Sequence, residues 1–307
     1  MFIRLFESNG EYHVLASLSE GRLVVAKYER QHVRSSIKLP ENCQSAFATN
    51  GQVLATGYWN TKGIDVWNLW TGEHLDRFGP NHTSRLLIDD TGRYVAVWSD
   101  RGNFVYDRNA GQKHRVSRME DLDCACIDHR TNTLWLPVAA KGRAVRVETA
   151  PFSMETVALQ IRGRPWAIRF SLQYNKVIIF DYDAKSVPDV YVPEGYPDRP
   201  WGSVSCFGEI GGELIWRRDF LGKELSSSGA FSSDGKYFAM NAVEAQRIIV
   251  MVAETGETVR LIEPMENVMY PMKGTRIMST SGRIVNVATG EIDEGCSNWQ
   301  WWRVAGA

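Results

Sequence analysis

Short apolar runs, four to seven residues long and bounded by polar or glycine-containing corners, follow one another along the whole chain. Tyr94-Val95-Ala96-Val97-Trp98, Val177-Ile178-Ile179-Phe180 and Arg247-Ile248-Ile249-Val250-Met251-Val252 are typical. Their β-branched and aromatic content marks them as strands, because such side chains pack well on a pleated surface. Almost no window carries the 3.6-residue period of a helix. The first forty residues alone hold four such runs, near 2–7, 12–17, 22–28 and 33–39.

The corners recur with a fixed period. One series falls at Asn9-Gly10, Asn50-Gly51, Thr91-Gly92, Thr131-Asn132, Tyr174-Asn175, Asp234-Gly235 and Lys273-Gly274, at intervals of 41, 41, 40, 43, 60 and 39. A second, before each third strand, falls at Gly21, Gly63, Gly102, Gly142, Gly202 and Gly282. A third, after each third strand, falls near Arg30, Gly72, Gly111, Pro151, Gly211, Gly256 and Gly290. Several short strands in a unit of about forty residues are the signature of a β-propeller. The expectation is an all-β fold: one seven-bladed β-propeller domain over 1–307, each blade a four-stranded antiparallel sheet. The blades fall at about 1–40, 41–80, 81–119, 120–160, 161–222, 223–263 and 264–307. A lone blade leaves two apolar faces bare, so the units must stack on one another. The tail Asn298-Trp299-Gln300-Trp301-Trp302-Arg303-Val304 either completes the last blade or lies against the first, and its tryptophans read as buried anchors.

Val66-Trp67-Asn68-Leu69-Trp70-Thr71-Gly72-Glu73 resembles the end of a WD40 repeat, with Asn68 where that family usually has Asp. Val105-Tyr106-Asp107-Arg108-Asn109-Ala110-Gly111-Gln112 is a weaker copy, and the segments 249–257 and 284–291 are weaker still. The Gly-His pair that opens a typical repeat of that family is missing throughout. The chain therefore resembles a divergent WD40-like propeller, and the resemblance implies that the internal hydrogen-bond network of the repeat is missing too.

All three series stretch to 60 residues in the same unit, which places about twenty extra residues at 181–201. By the resemblance, the loop between second and third strands opens on the same face as the connections between blades. Four prolines stiffen the insertion, which lowers the entropy lost on binding. Tyr191, Tyr196, Arg199 and Trp201 are residue types enriched at the energetic centres of interfaces, and Glu194 and Asp198 stand among them. Other loops of that face are 58–62, 98–101, 139–141, 41–42, 80–82, 118–121 and 162–166. They add Trp59, Arg101, Lys141, Arg162, Arg164 and Trp166 to the candidate partner-binding rim. Any of these tryptophans can equally be a core residue.

A formal net charge of −1 argues against a general nucleic-acid binder, and mixed charge on the rim suits a protein partner better than a polyanion. No apolar stretch approaches membrane length, and Met1–Glu7 lacks the pattern of a signal peptide. Cys43, Cys124, Cys126, Cys206 and Cys296 are too few and too scattered for a disulfide framework, which points to the cytoplasm. No phosphate loop, nucleophile elbow or histidine pair at metal-ligand spacing occurs. Cys124, Cys126 and Asp128 share one strand face, but small cysteines on a tight inner strand followed by an Asp-His corner account for them. No catalytic residue, metal or cofactor is expected. The expected function is a non-enzymatic propeller that engages one dedicated protein partner, one to one, through its top face and the 181–201 loop. A stoichiometric inhibitor such as a bacterial toxin-immunity protein is one form of this. The alternatives are a hydrolase or lyase with its site at the channel mouth, and a glycan or small-ligand binder stacking on Trp59, Trp166 or Trp201.

Overall fold

In a computed structural model, the apolar runs form twenty-eight strands grouped in seven four-stranded sheets. The structure describes residues 2–17, 21–39, 44–58, 63–117, 125–138, 142–182, 200–221, 225–242, 247–263 and 267–299. Blade 1 holds β1 (Phe2–Ser8), β2 (Glu11–Ser17), β3 (Arg22–Lys27) and β4 (His32–Lys38); blade 2 holds β5 (Gln44–Thr49), β6 (Val53–Tyr58), β7 (Ile64–Asn68) and β8 (His74–Phe78). Blade 3 holds β9 (Thr83–Ile88), β10 (Tyr94–Ser99), β11 (Gly102–Asp107) and β12 (Gln112–Ser117). Blade 4 holds β13 (Cys126–Asp128), β14 (Thr133–Val138), β15 (Arg143–Thr149) and β16 (Phe152–Ala158). Blade 5 holds β17 (Arg164–Phe170), β18 (Val177–Tyr182), β19 (Pro200–Phe207) and β20 (Leu214–Leu221). Blade 6 holds β21 (Leu225–Phe231), β22 (Tyr237–Ala242), β23 (Arg247–Val252) and β24 (Thr258–Ile262); blade 7 holds β25 (Val268–Pro271), β26 (Arg276–Ser279), β27 (Ile284–Asn286) and β28 (Ile292–Asp293). In every sheet, strands adjacent in sequence pair antiparallel. Among the described residues there is no helix long and apolar enough to cross a membrane.

Two compact units can be distinguished along the chain. The first comprises Met1–Glu120, Thr280–Gly282 and Glu294–Ala307; the second comprises Asp121–Ser279 and Arg283–Asp293. Each unit buries its apolar residues in layers between successive blades. In the first unit, Leu15, Leu23 and Val25 pack on Leu54 and Leu69, and Ile64 and Val66 on Leu86, Val95 and Val97. In the second, Ile178, Phe180 and Val204 pack on Phe238, Met240 and Met251, and Ile248 and Val250 on Ile277, Val285 and Val287. Middle strands such as β3 and β10 are thus buried on both faces, while outer strands such as β16 stay largely exposed.

The corner chemistry explains why the period is legible. All seven corners of the first series join the first and second strands of a blade. Gly10, Gly51, Gly92, Asn132, Gly235 and Gly274 there have φ between +51° and +88°, which glycine and asparagine tolerate best. After the third strand the WD-like residue acts as a local cap. Asn68 accepts the amides of Trp70 and Thr71 at 2.9 and 3.0 Å. Asp107 accepts those of Asn109 and Ala110 at 3.0 and 3.1 Å. Asn286 accepts those of Ala288 and Thr289 at 3.1 and 3.4 Å. A side-chain oxygen two residues before a bending backbone offers it an acceptor that a strand cannot.

Three expectations need correction. An internal side-chain network does exist in blade 2, which carries the best copy of the motif. Trp67 Nε1 donates to Thr56 Oγ1 at 3.0 Å, and buried Asp65 accepts from Arg77 at 2.7 and 2.9 Å and lies 2.7 Å from His74 Nε2. The fourth strand of the blade, β8, and not a Gly-His pair, supplies the histidine. Gly202 is not a corner, because it lies inside β19 and pairs with Tyr182 and Phe220. Nor does the insertion begin at Asp181 or end at Trp201. Pairing of Asp181 with Ser203 and of Tyr182 with Gly202 carries both strands into it, and residues 183–199 lie outside the described residues.

The last sheet has its four strands without the tail. Trp299 is buried and stacks on Tyr28 at the end of β3, ring centroids 5.8 Å apart. The Ile3 amide donates to the Thr280 carbonyl, and the Cys296 amide to the Gly282 carbonyl at 3.0 Å. Trp299 thus lies against the first blade. Trp301 and Trp302 lie outside the described residues.

Candidate functional site

In an antiparallel meander the connections between second and third strands, and from one blade to the next, emerge at the same end of the sheets. The candidate rim belongs to this loop end. Among the described residues, it is best defined in the second unit, at the root of the long insertion.

Asp181 anchors that root. It sits near the end of β18, 2% exposed, facing the connection that leads into β17. One carboxylate oxygen accepts the Gly163 amide at 2.8 Å and the Arg162 amide at 3.1 Å. The other accepts the Ser203 hydroxyl from β19. Burial pushes the Asp181 carboxyl above the ordinary carboxylate range; the Ser203 hydrogen bond, the Gly163 and Arg162 amides and the charge of Arg217 offset only part of that. The stitching continues outward. Arg217 on β20 donates to Ser205 Oγ at 2.8 Å and to the Gln160 carbonyl at 2.9 Å. The Arg162 side chain reaches Asp219 at 3.3 Å, an exposed pair that contributes little to stability. The two strands that carry the insertion are therefore clamped to the blade connection beside them.

Of the sequence-predicted residues, Arg162 is on this connection, and Arg101 is exposed in the corner between β10 and β11, where Ser99 Oγ accepts its amide at 3.3 Å. Arg164 and Trp166 are not loop residues but lie in β17, since β18 extends far enough to pair Tyr182 with Arg164. Trp201 likewise lies in β19, and Trp98, at the start of its predicted loop, is buried in β10. Trp59, Lys141, Tyr191, Glu194, Tyr196, Asp198 and Arg199 lie outside the described residues. The sequence reading missed Asp181, Ser203 and Arg217 as a group. An aspartate directly after the all-apolar Val177–Phe180 run was the available signal.

Among the described residues no three His, Cys, Asp or Glu side chains stand close enough to hold a metal ion. Asp128 of the Cys-Asp run is spent on its own corner: Arg130 donates to it through Nε at 2.8 Å and Nη2 at 2.7 Å, and reaches the Tyr174 carbonyl of the next blade at 2.9 Å. Cys126 is half-buried on β13, and Cys126, Cys206 and Cys296 are free thiols.

Seven sheets of four antiparallel strands define a seven-bladed β-propeller. The chain is similar over 94% of its length to the β-propeller domain of Cps50 (Swd1) from Myceliophteria thermophila, covering 94% of that chain at 14% identity and TM-score 0.61. It is similar to the computationally designed protein Ika8, over 94% of this chain and 84% of that one, at 15% identity and TM-score 0.63. Hydrazine synthase of Kuenenia stuttgartiensis matches at 11% identity and TM-score 0.55, over 92% and 91% of the two chains. No family model and no curated protein matches this sequence. At these identities the comparisons speak for the fold alone.

Proposed function

We propose that this chain is a non-enzymatic protein-binding propeller that engages one dedicated partner, one to one, through the loop end of its blades, with the segment after β18 as principal contact. The observation that carries this reading is the construction of that segment's root. A buried carboxylate with three donors, plus Arg217 behind it, is more anchoring than a decorative loop needs. A contact segment held at both ends loses less entropy on binding. It carries Tyr191, Tyr196 and Arg199, residue types enriched at the energetic centres of interfaces, among three prolines. If the partner is an enzyme and the segment covers its active site, the outcome is stoichiometric inhibition, as in a toxin-immunity pair.

The test is affinity capture from native lysate with the intact chain and with a variant in which residues 184–198 are replaced by a short Gly-Ser turn. Captured proteins are identified and rebuilt from purified components by titration calorimetry. The reading expects one partner at 1:1 stoichiometry, lost on loop replacement while circular dichroism stays unchanged. Capture that is indifferent to the replacement would overturn it.

A further inference from the structure

Blade 1 meets blade 2, at the corner end of their strands, through a set of rings. His13 on β2 is 4% exposed. Its imidazole stacks on Phe6 of β1, with centroids 5.6 Å apart and an interplanar angle of 20°. Against Trp70, in the corner after β7, it stands at 4.9 Å and 78°. Phe6 and Trp70 meet each other at 6.2 Å. Trp70 is fixed from its own blade, because Nε1 donates to the Gly51 carbonyl at 3.0 Å. Gly51 packs close on the same rings: a Cβ there would lie 3.4 Å from the Phe6 ring. One imidazole is therefore packed between the rings of two blades.

The charges facing that imidazole come from β2, β3 and β4. From β2, the Glu11 carbonyl lies 3.1 Å from His13 Nδ1. A carbonyl only accepts, so Nδ1 carries the hydrogen and Nε2 is where a further proton would go. From β3, Lys27 stands directly opposite His13 in register, 5% exposed and ion-paired with the Glu11 carboxylate. From β4 comes Arg34. β1 and the corner after β7 present Phe6 and Trp70, which carry no charge; Glu7 alternates with Phe6 and stands on the other face of β1. Burial holds the His13 imidazole below its ordinary value, Arg34 and Lys27 act in the same sense, and Glu11 offsets only part of this. Aromatic faces attract a cation. A second buried charge beside Lys27, with the Glu11 carboxylate already engaged, costs more.

We propose that Phe6, His13 and Trp70 form an acid-sensitive latch between blades 1 and 2. While His13 is neutral the rings pack, and the corner of blade 2 is held on blade 1. A proton on Nε2 sets a second cation beside Lys27. The imidazolium escapes that only by turning out to water, which breaks the packing of Phe6 on Trp70. The folded protein takes up this proton less readily than the unfolded chain does. The latch therefore contributes fully above the ordinary histidine value of about 6.5 and is lost as pH falls through the folded value. Mild acid is thus a regulatory input to this seam. The latch lies at the opposite end of these blades from their loops and does not rest on the partner contact proposed above.

The test is an NMR titration of the full chain, isotopically labelled in its histidine rings, from pH 8 to pH 5. His13 is identified among the six histidines as the signal missing from His13→Phe, or from His13→Gln if the first variant does not fold. Its midpoint is expected below about 6.5. The denaturant midpoint of the wild type is expected to fall more between pH 8 and pH 5 than that of the variant, which cannot take the proton. Hydrogen exchange, corrected for its intrinsic pH dependence, is expected to quicken at pH 5 in residues 51–54 and 69–72 of the wild type alone. A His13 midpoint at or above the ordinary value, an equal fall in the variant, or exchange at the seam that ignores pH would overturn the proposal.

Discussion

Asp181→Ala is the most direct test of how the insertion is anchored. The substitution removes the acceptor of two backbone amides, at 2.8 and 3.1 Å, and of the Ser203 hydroxyl. A hydrogen bond to a charged acceptor contributes about 1.5–3 kcal/mol. Three of them give a gross loss of about 4–9 kcal/mol. The buried carboxylate carries a desolvation cost of its own, which its upward pKa shift records. The net expectation is a loss of about 3 kcal/mol, read as a lowered denaturation midpoint, with faster hydrogen exchange at the Arg162 and Gly163 amides. The pH dependence has a definite sign. The folded-state pKa is raised, so within the window between the ordinary carboxylate value and the raised one, the folded state binds more protons than the unfolded. Stability therefore falls as pH rises through that window. Asp181→Asn, which cannot ionise, is expected to flatten that fall. A loss below about 0.5 kcal/mol for Asp181→Ala, or an unchanged pH slope in Asp181→Asn, would refute the buried, three-donor carboxylate.

Asp107 should behave in the opposite way. The hydrogen bond from Arg93 holds its carboxyl down to about 2, so its contribution is present above the ordinary carboxylate range and lost as pH falls towards 2. Asp107→Asn keeps the corner cap, as Asn68 does in blade 2, and is expected to cost about 1 kcal/mol at neutral pH, since Arg93 is 41% exposed and solvent screens the pair; the acid-unfolding midpoint measures it. Trp299→Ala removes a buried indole stacked on Tyr28 and is expected to cost about 3 kcal/mol, with faster hydrogen exchange confined first to residues 280–282 and 294–298. Burial pushes the Cys206 and Cys296 thiols up to about 12, so both should resist a thiol reagent at neutral pH until denaturant exposes them.

The parts of this protein legible in its sequence are those written in local chemistry. A left-handed turn at Gly51 or Gly92, or a cap from Asn68 to amides two and three residues on, acts within a few residues. Each leaves its mark where it works, and repetition every forty residues makes the marks count as blades. The blade-to-blade layers were implied by runs apolar on both faces, such as Val177–Phe180. What only the tertiary structure decided depends on pairings between distant residues. Tyr182 meets Gly202 across twenty residues, so β18 and β19 reach into a segment that reads as loop, and Arg164, Trp166 and Trp201 become strand residues. Asp181 looks like an ordinary loop carboxylate until the Arg162 and Gly163 amides and Ser203 are placed around it. Trp299 finds Tyr28 from the other end of the chain. The sequence by itself determined the strands, corners and their number, because backbone conformation follows from neighbours. The clamp beneath the insertion was settled only by folding, because burial and pairing belong to residues far apart in the chain.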